Sequence, residues 1–298
     1  MGSVTEIDAK TGRKFYLDDP DDLKPGEKVV FLLNLHGGGS VGAWQHLYFP
    51  AHDYKEKYRL VVATPSAATK EPVRRWVGEA DDAHLRNIVT FVFEKYGKQN
   101  IASFWLVGHS QGGMTSNRLL AEDKFFQDRV DGWLSLSGGR IGPIELPPSF
   151  FVRRPGMPAM APPAANGDAP RPGRAAKLDC DISFIFATGE HEMVALPDAS
   201  PWAERYGAHA RTRLADIVDD QAGQVYDTTR EGQSTPAWGL SPRPGVAQIY
   251  VYPGARGGRV IADVVRIDKG HTEGLEPRVT EALIRMIADA PGGKAQAL

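Results

Sequence analysis

Short apolar runs alternate with amphipathic segments along most of this chain, and that alternation restricts the fold more than any other feature. The runs KVVFLLNL (28–35) and RLVVAT (59–64) are nearly all apolar, which is typical of strands covered on both faces. The alternation itself indicates crossover units and a mostly parallel sheet flanked by helices, an α/β fold. Further strands are predicted at 102–107, 132–136 and 181–187, and helices at 81–96 and 113–122.

The last third of the chain completes this pattern and contains its exceptions. Two strands are predicted at 247–252 and 260–267, as a hairpin or a pair of neighbours, and a helix at 276–288. Two stretches depart from the alternation: residues 144–177, dense in proline, and residues 193–245, with a helical portion around Trp202 to Asp216. Such excursions are usually lids or substrate loops. We therefore predict a single domain over residues 1–298, with a lid-like insertion at 193–245.

Charge and composition exclude several classes of protein. The formal net charge is −2 and no basic stripe with interleaved aromatics occurs, so no nucleic-acid partner is expected. No apolar run is long enough to span a membrane, and the polar N-terminus lacks the features of a signal peptide. The single cysteine, Cys180, fits a reducing compartment. We expect a cytoplasmic protein without a membrane partner, although a secreted protein whose signal peptide was removed would read identically; no pattern predicts an oligomeric state.

The segment LVGHSQGGMTSN, residues 106–117, places a serine among glycines where a predicted strand meets a predicted helix. Its GHSQG portion fits the pattern glycine, any residue, serine, any residue, glycine. In a tight strand-to-helix turn, the residues two before and two after the serine must be small, because the turn presses them together. Such a turn lifts the Ser110 hydroxyl above the carboxyl edge of the sheet, where parallel α/β folds bind substrates. Ser110 is the candidate nucleophile, and an ordinary glycine-rich connection is the alternative.

A second glycine-rich segment, LNLHGGGS at residues 33–40, follows an earlier predicted strand. Glycines let backbone N–H groups approach a developing oxyanion without interference from side chains. Gly38 and Gly39, together with the N–H of Gln111, are the candidate oxyanion-hole donors. A phosphate-binding loop is the alternative, but both the Walker spacing and a dinucleotide fingerprint are absent.

A serine nucleophile needs a base, and the chain has eight histidines. His271, in RIDKGHTEG, follows the last predicted strand, as the chain order nucleophile, acid, histidine requires in this type of fold. His209 also follows the acid strand, but its neighbours are typical of a solvated helical face. His36 and His109 belong to the two glycine-rich segments and are expected to shape those turns. His271 is therefore the candidate base.

The acid is expected where the predicted strand at 181–187 runs into TGEHEMV. Glu190 and Glu192 both lie there, and either is placed to turn towards the base. Glutamate serves as the acid in some enzymes of this architecture. The segments GEHE and DDAH put His191 and His84 beside carboxylates, but neither has a multi-ligand spacing. We interpret both as surface loops and predict no metal site.

Aromatic residues at loops or element ends are candidate contacts to the substrate, with packing at the rim as the alternative. They are Trp44, Trp76, Trp202 and Trp238. Arg74 and Arg75 would suit an acidic substrate, although an ordinary solvated pair is the simpler interpretation.

Four segments together resemble the serine esterases of the α/β-hydrolase superfamily, and within it the branch of polyhydroxybutyrate depolymerases and feruloyl esterases. They are LHGGGS, VGHSQGGMTSNRLL, ATGEHEMV and IDKGHTEG, and the resemblance spans residues 29–286 apart from the two excursions. That branch usually has a glycine, two variable residues and an aspartate after the acid strand, which implies Glu192 rather than Glu190 as the acid. The HGGG segment is also similar to hormone-sensitive lipases, but those usually carry an acidic residue at the position of His109.

The resemblance implies hydrolysis of a carboxylic ester through an acyl-enzyme, without a cofactor. Ser110, His271 and Glu192 would form the triad, and the substrate would be a small-molecule or oligomeric ester. Acyl transfer to an alcohol from the same acyl-enzyme is one alternative. A non-catalytic binding protein of the same fold is another.

Overall fold

The computed structural model describes residues 4–141, 145–147, 178–227 and 235–298. Most of the proline-rich excursion at 144–177, and part of the predicted lid at 193–245, lie outside the described residues. The strands within the described ranges are β1 (Val4–Ile7), β2 (Lys14–Asp18), β3 (Val29–Leu35), β4 (Leu60–Pro65), β5 (Ile101–His109), β6 (Gly132–Leu136), β7 (Ser183–Gly189), β8 (Thr212–Arg213), β9 (Ile217–Val218), β10 (Val246–Val251) and β11 (Ile261–Arg266). The α-helices are α1 (Gly42–Tyr48), α2 (Lys55–Tyr58), α3 (Gly78–Tyr96), α4 (Gln111–Glu122), α5 (Lys124–Gln127), α6 (Pro201–Arg205) and α7 (Pro277–Asp289).

These strands form one mixed sheet. Its six central strands run parallel in the spatial order β4, β3, β5, β6, β7 and β11. Antiparallel strands extend it on both sides, with β2 and β1 beyond β4, and β10 with β8 and β9 beyond β11. The mostly parallel α/β sheet predicted from the sequence is confirmed, and so is the neighbouring pair near its end, which is β10 and β11.

Helices cover both faces of the sheet and account for the near-continuous apolar character of its strands. Helices α3 and α4 contribute to the apolar core on one face, and α1 and α7 to the core on the other. Every residue of β3 and β4 is consequently buried. Helix α7 buries Val279, Leu283 and Ile287 at helical spacing along one stripe. No helix in the described part of the chain is both long and apolar enough to cross a bilayer.

The helical portion predicted around Trp202 to Asp216 is wrong for most of its length. Helix α6 ends at Arg205, and Gly207 has a φ of 62°, a left-handed conformation that commonly ends helices. The chain then adds β8 and β9 to the edge of the sheet, where both pair with β10. The polar N-terminal segment also forms structure that the sequence pattern did not reveal, the antiparallel pair of β1 and β2.

Candidate active site

Loops that follow the carboxyl ends of four parallel strands carry the candidate site residues. The glycine-rich loop at 36–40 follows β3, Ser110 follows β5, Glu192 follows β7 and His271 follows β11. Because the carboxyl ends of parallel strands lie at the same edge of a sheet, the fold brings these four loops together.

The turn that carries Ser110 is as crowded as the glycine pattern predicted. Ser110 has φ 50° and ψ −116°, a strained conformation for a residue with a side chain. An added Cβ at Gly108 would lie 2.3 Å from the carbonyl carbon of Gly112. One at Gly112 would lie 2.2 Å from the carbonyl oxygen of Leu35, at the end of β3. Larger residues at either position would push β5, α4 and β3 apart, so the glycines keep the serine at this edge.

Ser110, His271 and Glu192 form a continuous chain of hydrogen bonds. His271 Nε2 lies 2.8 Å from Ser110 Oγ, and His271 Nδ1 lies 2.6 Å from Glu192 Oε2. A carboxylate can only accept, so Nδ1 carries the hydrogen and Nε2 of the neutral ring is free to accept the serine proton. The side chains of His271 and Glu192 are only 3% and 5% exposed, which strengthens these contacts by excluding water.

Glu192 is held by two further donors. Its Oε1 accepts the Gly189 N–H at 2.8 Å and the Ser137 hydroxyl at 2.7 Å. Burial acts to raise the pKa of Glu192, but the adjacent His271 and these hydrogen bonds outweigh it, and the net pKa lies below the ordinary value. Ser137 was not found by sequence reasoning. Its signal is a serine directly before two glycines at the end of a strand, and its φ of 53° places it in the left-handed region.

Glu190 lies apart from this chain of hydrogen bonds. Its side chain is exposed, and its Oε2 accepts the backbone N–H of Asp268 at 2.9 Å. The structure therefore brings Glu192 to the imidazole and leaves Glu190 at the surface.

The glycine-rich loop lies against the first residue of α4. An added Cβ at Gly38 would lie 3.5 Å from Gln111 Oε1, so the two segments are in contact. As the first residue of a helix, Gln111 has a backbone N–H without an intrahelical acceptor. Gly39 requires a correction, because its N–H donates to the Arg74 carbonyl at 2.7 Å. Gly38 and Gln111 remain candidate oxyanion donors, and Gly39 instead fixes the loop.

A buried ionic network supports the loop that carries His271. Arg266, at the end of β11, pairs with Glu276 at 2.9 Å and donates to the carbonyls of Glu273 and Gly274 at 2.7 and 2.8 Å. Lys269 Nζ lies 3.0 Å from Glu276 as well. Burial raises the pKa of Glu276, but the two cations more than offset it and the net shift is downward. The charges thus hold the two ends of the His271 loop together.

Two of the four tryptophans lie at the site. The Trp44 ring packs on Tyr48 and His109, with centroid distances of 4.7 and 5.5 Å. The Trp238 ring lies on His271 at 4.9 Å. Both tryptophans are partly exposed.

The other two tryptophans are buried in the core, which contradicts their predicted contact with substrate. The indole N–H of Trp76 donates to the His36 carbonyl at 2.8 Å, and the indole ring packs on the imidazole of His36 in the core. Trp202 donates to the carbonyl of Ile182 at 3.1 Å. Ile182 precedes β7, so Trp202 packs at the amino end of the strand, opposite to the site.

His36 and His109 shape the turns, as expected. His36 donates from Nδ1 to the Gly37 carbonyl at 2.7 Å and accepts the Ala67 N–H on Nε2 at 3.0 Å. Burial lowers the pKa of His36 to about 4. His109 donates from Nε2 to the carbonyl of His271 at 2.8 Å, and burial holds its pKa well below the ordinary value. Both rings are therefore neutral.

The surface-loop interpretation of His84 is wrong. His84 lies on α3, is fully buried, and pairs with Asp8 at 2.8 Å. His191 is partly exposed in a short turn and pairs with Asp268 at 2.7 Å. His209 is exposed. Within the ranges that the structure describes, no three histidine, cysteine or acidic side chains are grouped as metal ligands.

The chain matches no protein-family model and no curated protein sequence. Among solved structures it is similar to an acetyl xylan esterase from Aspergillus awamori, with 14% identity, a TM-score of 0.54, and coverage of 97% of this chain and 99% of that one. It also overlaps FphF, a fluorophosphonate-binding serine hydrolase of Staphylococcus aureus, with 12% identity, a TM-score of 0.37, and coverage of 63% and 78%. Only the first overlap is close enough to compare folds, and at this identity it bears on the fold alone. Sheet order, flanking helices and this likeness establish that the chain has the α/β-hydrolase fold.

Proposed function

We propose that this protein hydrolyses carboxylic esters through an acyl-enzyme formed on Ser110. The observation that carries the proposal is the hydrogen-bond chain from Ser110 Oγ through His271 to Glu192, with the serine at a strained turn. A nucleophile within reach of a base, which is itself oriented by an acid, is the arrangement that nucleophilic acyl transfer requires.

In the proposed reaction His271 Nε2 takes the Ser110 proton while Oγ attacks the ester carbonyl. The backbone N–H groups of Gly38 and Gln111 bind the resulting oxyanion, and a donor of this kind typically contributes about 3 kcal/mol to transition-state stabilisation. His271 then passes the proton to the departing alkoxide, which leaves as the alcohol. Water then loses a proton to the same nitrogen and attacks the acyl-serine. As the bond to Ser110 Oγ breaks and the acid is released, His271 returns that proton to Oγ. Glu192 stabilises the imidazolium in both halves.

The name of the structural neighbour agrees with this class of reaction, since it is an acetyl xylan esterase. The finer placement, in the branch of polyhydroxybutyrate depolymerases and feruloyl esterases, rests on the four sequence segments that resemble that branch. A small-molecule or oligomeric ester is the proposed substrate class.

A hydrolysis screen with Ser110→Ala as its control tests the proposal. We expect turnover of at least one aliphatic, aromatic or lactone ester, and a loss of about 10⁴-fold or more in Ser110→Ala with an unchanged melting temperature. Near-parental turnover of a true substrate by a folded Ser110→Ala variant would rule out Ser110 as the nucleophile.

A further inference from the structure

Two other rings lie close to the imidazole of His271. The Trp238 ring has its centroid 4.9 Å away, with planes inclined by 34°. The His109 ring is also at 4.9 Å, with planes inclined by 42°. Because burial keeps His109 neutral, it places no charge against the imidazole.

Trp238 is anchored on its own side by a carboxylate and by the backbone. Its indole Nε1 donates to Asp227 Oδ2 at 2.8 Å. Its carbonyl accepts both the backbone N–H and the hydroxyl of Thr272, at 2.9 and 3.0 Å. The N–H of His271 donates to the neighbouring carbonyl of Ala237 at 3.1 Å. The indole is thus fixed to the same loop that carries the imidazole.

The segment that carries Trp238 packs so closely against the His271 loop that position 270 has room only for a glycine. An added Cβ at Gly270 would lie 2.2 Å from the carbonyl oxygen of Pro236 and 2.6 Å from the backbone nitrogen of Gly239. The segment 235–240 therefore lies directly against the His271 loop, at backbone distance.

We propose that Trp238 is a positioning residue for the reaction: its indole fixes the ring plane of His271 and stabilises the imidazolium by a cation–π contact, and Asp227 acts through it by holding the indole N–H. This inference rests on the proposed esterase function. A cation over the face of an indole within about 6 Å is attracted by the ring quadrupole, most strongly where water is excluded. The carboxylate on the indole N–H adds electron density to the face that His271 meets.

The other groups around His271 differ from Trp238 in what they can do. Glu192 bonds Nδ1, Ser110 bonds Nε2, and the hydroxyl of Tyr48 lies 3.4 Å from the His271 carbonyl. The charged groups of the loop are paired with one another or with neighbouring segments: Arg266 and Lys269 pair with Glu276, Lys269 and Arg243 with Glu273, and Asp268 with Arg243 and His191. Trp238 is the described ring whose face meets the imidazole and whose N–H meets an anion.

If Trp238 acts on His271, its loss should change the kinetic constants in a different way from the loss of a residue that contacts the substrate. The imidazolium of His271 forms during the hydrolysis of every ester. Loss of Trp238 should therefore lower kcat by a similar factor for all substrates and leave KM nearly unchanged. A weaker hold on the proton should also move the acid limb of the pH profile of kcat/KM to lower pH.

Trp238→Leu, Trp238→Phe and Trp44→Leu provide a matched set. In Trp238→Leu we expect kcat about three- to thirtyfold lower on both an acetate and an aromatic ester, with the acid limb at lower pH. Trp238→Phe, which keeps an aromatic face, should retain most of both properties. The ring of Trp44 lies on Tyr48 and His109 and is not in this contact with His271, so Trp44→Leu should leave the acid limb at its parental pH. A change in KM or in the ratio of the two esters, without a shift of the acid limb, would make Trp238 a substrate contact and overturn the proposal.

Asp227 supplies an independent test if Trp238→Leu does not fold. Asp227→Asn and Asp227→Leu should shift kcat and the acid limb in the same direction as Trp238→Leu but less, and Asp227→Leu should add nothing in the Trp238→Phe background, which has no indole N–H for Asp227 to hold. Additive effects, or no effect of Asp227→Leu on either quantity, would contradict the proposed role. Reaction of the parent with a fluorophosphonate probe separates the two proposals: failure to label Ser110 refutes the esterase function, whereas labelling with unshifted Trp238 profiles refutes only the positioning role.

Discussion

Glu190 and Glu192 are two residues apart and differ completely in environment. Glu192 is buried and accepts three hydrogen bonds, from His271, Gly189 and Ser137, whereas Glu190 is exposed and caps a backbone N–H. A short helical turn over Glu190–Glu192 separates the two side chains, so that only the second faces His271.

Replacement of each acid by its amide measures this difference. Glu192→Gln should lower kcat by roughly 10² to 10⁴-fold, because the amide favours the wrong imidazole tautomer and does not stabilise the imidazolium. Glu190→Gln should change kcat less than about threefold, since it loses one exposed contact. Steady-state kinetics on one ester, with melting temperatures as the control, gives both values. The opposite ranking would transfer the role of the acid to Glu190.

At the residue scale, the sequence predicts those site residues whose role depends on contacts between near neighbours in the chain. Ser110 and its glycines are recognisable because the turn itself crowds Gly108 against Gly112, four residues away. The contact of Ser137 with Glu192 joins positions 55 residues apart, and no short pattern records it. The burial of Trp202 likewise depends on where α6 packs against the sheet.

At the level of the elements, the junction of β5 and α4 has no room for a side chain at Gly108 or Gly112. Gly112→Ala places a Cβ 2.2 Å from a backbone oxygen of β3, which cannot move without disturbing the sheet. We expect a loss of about 3 kcal/mol or more in the free energy of unfolding. Gly38→Ala is the matched control, because its Cβ would lie 3.5 Å from the nearest atom, and should change stability by less than about 1 kcal/mol. Equal stabilities of the two variants in urea would contradict the packing of the elbow.

The strands and helices that the sequence predicts correctly are those with a clear pattern of apolar residues. Buried strands such as β3 and the long helix α3 have it, whereas β8 and β9 have two residues each and are stabilised by pairing with β10. The helix predicted through Asp216 failed because the edge of the sheet competes for those residues. Gly207, which ends α6, was the available signal.

On the scale of the whole molecule, buried titratable groups should make the free energy of unfolding fall as the solution is acidified. Burial lowers the pKa of His36 from 6.5 to about 4, so protonation favours the unfolded chain. Its contribution to stability is fully present above about pH 6.5 and is lost as the pH falls towards 4. Glu192 and Glu276, whose pKa values are also lowered, act in the same direction below about pH 4.5.

Urea unfolding of the parent and of His36→Gln tests this linkage. Between pH 7 and pH 4.5 the parent should lose about 2 kcal/mol more of its free energy of unfolding than the variant does, whatever the difference in their stabilities at pH 7. Parallel curves for the two proteins would show that His36 is not held neutral by burial.

The central claim is that Ser110 is a nucleophile activated by His271 and Glu192, and covalent labelling tests it most directly. Incubation with a fluorophosphonate probe, followed by mass spectrometry of the intact protein and of its peptides, should show one adduct per chain at Ser110. The adduct should be absent in Ser110→Ala and form much more slowly in His271→Ala and Glu192→Gln. An unlabelled parent, an adduct on another residue, or equal labelling rates in parent and His271→Ala would contradict the account.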